Sequence, residues 1–150
     1  MAHVGNRVLV FRLGGVGFIL DLKNVVEVQD SASAQLDVSR SDINQGIVAA
    51  MAFRGAWLPV VDPAAKLGIP AAARMKDRTA VVLSGYEGNW TILVDDVEDL
   101  SAENGFTSCE IPFLLRASAC GVYSQLKLRN AEPFVVFDPE LFYGSPAMQS

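Results

Sequence analysis

The chain has 150 residues, long enough for one ordinary domain or two very small ones, and with 51% of them hydrophobic and 19% charged it has too much apolar material for wholesale disorder. Lys and Arg total 12 against 17 Asp and Glu, a formal charge of −5, so no basic stripe exists to hold a nucleic-acid backbone or an anionic membrane surface. The single histidine, His3, lies in an N-terminal tail, which removes His-based metal sites and Ser-His-Asp or Cys-His nucleophiles.

Along the chain, turn signals separate short segments rich in Val, Ile, Leu and Phe, the pattern of strands. Val8 to Phe11 and Phe18 to Leu20 flank Gly14-Gly15, a two-residue step suited to the positive φ angles of a tight hairpin. Arg7 and Arg12 break this stretch, so it lacks the unbroken apolar core of a signal peptide. Val25-Val26 is ambiguous between helix and strand, and Asp30 to Asn44, rich in Ser and Asp, reads as a surface loop. Gly46 to Phe53 meets Trp57 to Val61 across Arg54-Gly55; this longest apolar run is far short of the ~20 residues that span a bilayer. Asp62-Pro63 places a capping carboxylate before a proline at the first helical position, with Gly68 as the stop, which predicts a short helix. Ala71 to Arg78 reads as a linker. Ala80 to Leu83 then meets Trp90 to Val94 across a loop holding Gly85 and Gly88. Ser101 to Glu110 reads as a loop, and Ile111 to Arg116 is ambiguous, with a short helix as one outcome. Gly121 to Leu128 meets Phe134 to Phe137 across Arg129 to Pro133, and Asp138-Pro139 repeats the helix-start signal with Gly144 as its stop. The whole is mainly β.

Part of this pattern recurs. Gly46 and Arg54 stand at the same separation as Gly121 and Arg129, and Asp62-Pro63 matches Asp138-Pro139 to within one residue. Val8 to Glu27 corresponds likewise to Ala80 to Glu98. The repeat predicts one domain over 1–150 with half-domains near 1–70 and 78–150. Each is too small to be stable alone and is expected to pack on the other.

Residues that could carry chemistry do not assemble into a catalytic set. Asp95, Asp96, Glu98 and Asp99 lack the Asp-x-Asp-x-Asp-Gly spacing of a calcium loop and read as a solvated strand end. Gly14 to Gly17 is followed by a strand rather than a helix, so it is no phosphate cradle. Cys109 and Cys120 have no His or further Cys nearby and read as reduced thiols, with one disulfide as the alternative. The expectation is a cytoplasmic interaction module with no enzyme activity, cofactor, metal, nucleic-acid partner or membrane insertion.

Val8 to Gly14, Asp21 and Val25 to Val28 resemble the opening of the CheW family of chemotaxis adaptors. Gly46-Ile47-Val48, Phe53-Arg54-Gly55, Leu58 to Asp62 and Lys66-Leu67-Gly68 are similar to its central signature. Ala80 to Leu83, Leu93 to Val97 and Phe134 to Leu141 are similar to its second half, so the resemblance covers about residues 7–144. It implies an all-β fold of two small five-stranded β-barrels packed side by side, with short helices. It also implies a scaffold that joins the cytoplasmic tip of a chemoreceptor to the regulatory domain of a CheA-type histidine kinase, and that can contact other CheW-like domains. On the matching positions, Val25 and Glu27 fall in the receptor-facing segment, and Arg54 and Gly55 form the Arg-Gly turn tied to receptor coupling. Thr91 falls on a strand expected to help line the receptor groove. Four positions depart from the family pattern: no proline precedes Gly46 within 37–45, Ala52 replaces Asn, Pro63 replaces Leu, and Thr91 replaces Gly. A different reading of the same residues is a small barrel that binds a sugar or other ligand through Trp57 and Trp90.

Overall fold

The computed structural model describes residues 6–30, 34–70, 77–109 and 125–142. Its strands up to the middle of the chain are β1 (Arg7–Leu13), β2 (Val16–Asp21), β3 (Val25–Asp30), β4 (Gln35–Asp37), β5 (Ile47–Phe53) and β6 (Ala56–Val61), followed by the helix α1 (Pro63–Leu67). Beyond it come β7 (Thr79–Gly85), β8 (Gly88–Val94), β9 (Asp96–Ala102), β10 (Thr107–Cys109), β11 (Leu126–Arg129) and β12 (Glu132–Val136).

Local chemistry explains the turns and caps. Gly14 and Gly15 close β1 onto β2 with φ of +55° and +87°, and Arg54 and Gly55 close β5 onto β6 with +50° and +80°. Both angles are positive in a two-residue turn whose twist matches that of its strands. Asp62 Oδ1 accepts a hydrogen bond from the Ala64 N–H at 3.1 Å, and Gly68, at φ +70°, ends α1. Asp138 accepts from the Glu140 N–H in the same way at 3.1 Å, but it caps only a single 3-10 turn, Pro139–Leu141. The expected stop at Gly144, the segment 111–117, Cys120 and Gly121 lie outside the described residues. Two segments read as loops each hold a short strand. β4 lies within 30–44 and pairs with β5, and β10 lies within 101–110 and pairs with β11. Val25-Val26 is strand.

The strands form two six-stranded sheets, β10-β11-β12-β2-β1-β9 and β3-β7-β8-β6-β5-β4. Each draws on both stretches of the sequence repeat. The hairpin β1–β2 joins the C-terminal strands, while β7–β8 joins β3 to β6. The pairing itself repeats: Phe11 opposite Val97 and Val10 opposite Asp99 match Leu83 opposite Val25 and Val82 opposite Glu27, with a bulge at the same step. The parallel pair Val60–Thr91 likewise matches Val136–Ile19. By this register Arg54 corresponds to Asn130, so Arg129, which sequence spacing matched to Arg54, stands one residue earlier.

Each sheet must curl. β3 ends at Asp30 and β4 starts at Gln35, yet they lie at opposite ends of a six-strand row. Flat, those ends would be about 24 Å apart at ~4.8 Å per strand, whereas five residue steps reach at most about 18 Å. The 102–107 connection imposes the same on the other sheet. Two partly open barrels result, with six strands each where five were expected, the additions being the three-residue β4 and β10.

The apolar side chains gather in three clusters. Ala49, Met51, Phe53, Leu58, Val60 and Val82 are among those filling the second barrel, and Val8, Val10, Ile19, Phe106 and Phe134 fill the first. A third core, which includes Leu9, Phe11, Phe18, Leu83, Trp90 and Ile92, joins the two. β1, β2, β7 and β8 are thus covered on both faces, which is why their sequences run apolar without alternation.

Candidate functional site

The mouth of the second barrel brings together residues far apart in sequence. Arg54 sits at the tip of the β5–β6 turn with its side chain 68% exposed, and its Nη2 lies 3.5 Å from Glu27 Oε1 on β3. The guanidinium also stands over the Phe53 ring, 4.7 Å from its centroid. Gln29, two residues along the same strand face, donates through Nε2 to Glu27 Oε2. The edge strand is therefore held to the hairpin tip by a charged latch, while Arg54 keeps most of its surface in water. Gly55, exposed, supplies the turn geometry. Val25, half-buried at the start of β3, packs against the core between the barrels.

Thr91 does not join them. It is completely buried on β8, opposite Val82 on one side and Val60 on the other. Its Oγ1 finds no hydrogen-bond partner among the described residues. A central strand covered on both faces offers nothing to a partner, so the groove-lining role expected for Thr91 is corrected to a core position. Trp57 and Trp90 do not make a joint stacking platform either. Trp90 is 1% exposed inside the core, and Trp57, half open to solvent, carries Arg40 over its ring at 4.3 Å.

The first barrel has a counterpart of the latch, built on the Arg129 that sequence spacing matched to Arg54, with an acidic partner that spacing did not reveal. Arg129 Nη1 lies 3.5 Å from Asp99 and donates to Ser101 Oγ at 2.9 Å, while its guanidinium packs over Phe106 and Phe134. Asp99 and Glu27 occupy matching places in the pairing. The acidic run at 95–99 is consequently more than a solvated strand end. Glu98 accepts from Arg12 Nε at 2.6 Å, and Asp95 is nearly buried, accepting from the Gly14 N–H at 2.6 Å and lying 3.7 Å from Arg78. Arg12 also donates to Glu132; that bond, with help from Glu98, raises the guanidinium pKa and lowers that of the Glu132 carboxyl. The two latches differ in exposure: the Arg129 side chain is 25% exposed, so only Arg54 projects freely.

Among the described residues, no group of three or more His, Cys, Asp and Glu could hold a metal ion, and no helix is long and apolar enough to cross a membrane. Two packed, curled six-stranded sheets built on an internal repeat, with a charged latch at an exposed hairpin tip, define the class of protein structurally. The CheW-like domain model matches residues 7–102, well over half of the chain, and the chain belongs to that family. The scaffolding protein TtCheW from Thermoanaerobacter tengcongensis superposes with a TM-score of 0.74, over 97% of this chain and 92% of that one. At 16% identity this is a likeness of fold. No curated protein matches the sequence.

Proposed function

We propose that the chain is a non-catalytic cytoplasmic adaptor that couples a chemoreceptor tip to the regulatory domain of a CheA-type histidine kinase. The observation that carries this reading is the Glu27–Arg54 latch at an open barrel mouth in a CheW-like domain. An exposed guanidinium offers forked hydrogen bonds to carboxylates or carbonyls of a docking helix, and the adjacent carboxylate sets its orientation. Gly55 borders this face, and Val25 begins the strand that carries Glu27. Thr91 contributes only through packing.

The test is co-sedimentation of the chain with the cognate kinase domain and a receptor-tip fragment at micromolar concentration. Failure to bind either partner refutes the adaptor role. Arg54→Ala is expected to retain the kinase domain while losing most receptor-dependent stimulation of autophosphorylation, and Glu27→Lys to weaken receptor binding. The latch is an exposed pair of about 0–1 kcal/mol, so neither change should alter the melting temperature by more than a few degrees. Unchanged stimulation in Arg54→Ala would make the residue a bystander.

A further inference from the structure

Strand β5 carries the Arg54 latch at one end. About 20 Å away, at ~3.3 Å per residue, its other end borders a surface pocket of about 470 Å³. The walls include Ile43, Ile47, Val48 and Ala65, with the Lys66 stem across Gly46. Gly46 has φ +73°, a backbone conformation that favours glycine, and a Cβ there would come within 2.9 Å of Lys66 Cε, so the lysine side chain would have to shift.

The rim is rigid. Asp42 and Ile47 exchange backbone hydrogen bonds of 2.8 and 2.9 Å, and the Asp42 side chain accepts from the Asn44 N–H at 3.1 Å. This short turn displays Ile43, at 91% exposure the most solvated large aliphatic among the described residues. Lys66 Nζ donates to the Phe142 carbonyl at 2.7 Å, and among the described residues it forms no ion pair. Asp62, on the same wall, is taken by Arg78 at 2.9 Å. Burial lowers the Lys66 pKa. An apolar hollow, a presented aliphatic and an exposed cation that forms no ion pair among the described residues therefore meet at one place.

We propose that this pocket is a second docking surface, and that its occupant is a partner segment presenting an aliphatic or aromatic side chain beside a carboxylate. The side chain fills the hollow against Ile43 and Val48, and the carboxylate neutralises Lys66. The inference rests on the adaptor reading, since a coupler needs two surfaces that can be filled at once. The two ends of β5 are far enough apart for that.

The probe is the cognate kinase regulatory domain, titrated calorimetrically against the full chain, with the receptor-tip fragment titrated in parallel. Ile43→Asp and Lys66→Glu should each weaken kinase-domain binding at least about tenfold while receptor binding stays within about twofold, and Lys66→Arg should retain most of the affinity. Lys66 also holds the Phe142 carbonyl, so melting temperatures accompany each titration; Ile43→Asp changes an exposed side chain and stands clear of that complication. Kinase-domain affinity unchanged in Ile43→Asp overturns the pocket and leaves the adaptor reading intact. So does equal weakening of both partners, or Lys66→Arg failing as badly as Lys66→Glu. A wild-type chain that binds neither partner overturns both.

Discussion

Thr91→Val isolates one energetic feature of the core. The Thr91 side chain is fully buried between Val60 and Val82, and its hydroxyl has no partner among the described residues. A buried polar group left unsatisfied costs about 1–3 kcal/mol. Valine keeps the branched shape and replaces the hydroxyl with a methyl group, which suits an apolar interior. Taking the lower part of that range, the variant should gain about 1 kcal/mol, or roughly 2–4 °C in melting temperature for a chain of this size. Urea unfolding should show a higher midpoint with an unchanged slope. Thr91→Ser, which keeps the hydroxyl and removes the methyl group, should instead lose stability. Receptor-fragment affinity should not move in either variant, because nothing at this position reaches the surface. A Thr91→Val protein that melts at or below the wild-type temperature would show that the hydroxyl is bonded, and the argument from an orphaned donor would fail.

Gly14→Ala and Gly55→Ala both put a side chain at positive φ, but only at Gly14 would the new Cβ meet Ile69 Cγ2 and the Pro70 carbonyl at 2.5 Å, with open space at Gly55. Gly55→Ala should therefore cost about 1 kcal/mol from backbone strain, and Gly14→Ala clearly more; equal losses in chemical denaturation would contradict the packing. Acrylamide should quench one tryptophan readily and leave the other protected, with Trp57→Phe removing the accessible component and leaving that of the buried Trp90. The Arg12 hydrogen bond holds the Glu132 pKa below its ordinary 4.5. Its stabilisation is complete above that value and is lost as pH falls through the lower folded value. The melting-temperature gap between wild type and Glu132→Gln should accordingly be present at pH 7 and shrink on acidification below 4.5; a gap that widens in acid would reverse the sign of the linkage.

Features that depend on neighbours along the chain are legible in the amino-acid sequence. Gly14-Gly15 announces a tight hairpin because few residue pairs accept two positive φ angles in succession, and Arg54-Gly55 announces one through the two apolar runs it separates. Asp62-Pro63 announces a helix start because a carboxylate and a fixed φ serve the same end of the helix. Even the repeat is readable, since each half spells the same order of strands and caps. Features that depend on distant strands emerge only when the chain is packed. β4 and β10 are too short and polar to declare themselves, and they exist because β5 and β11 present edges to pair with. The exchange of hairpins between barrels, which buries β1, β2, β7 and β8 on both faces, also buries Thr91 and Trp90 and so withdraws them from any partner. Glu27 reaches Arg54, and Asp99 reaches Arg129, only because each sheet curls until its edge strand meets a hairpin three and four places along the row. Short connections force that curl, and spacing along the sequence carries no record of the distance it closes.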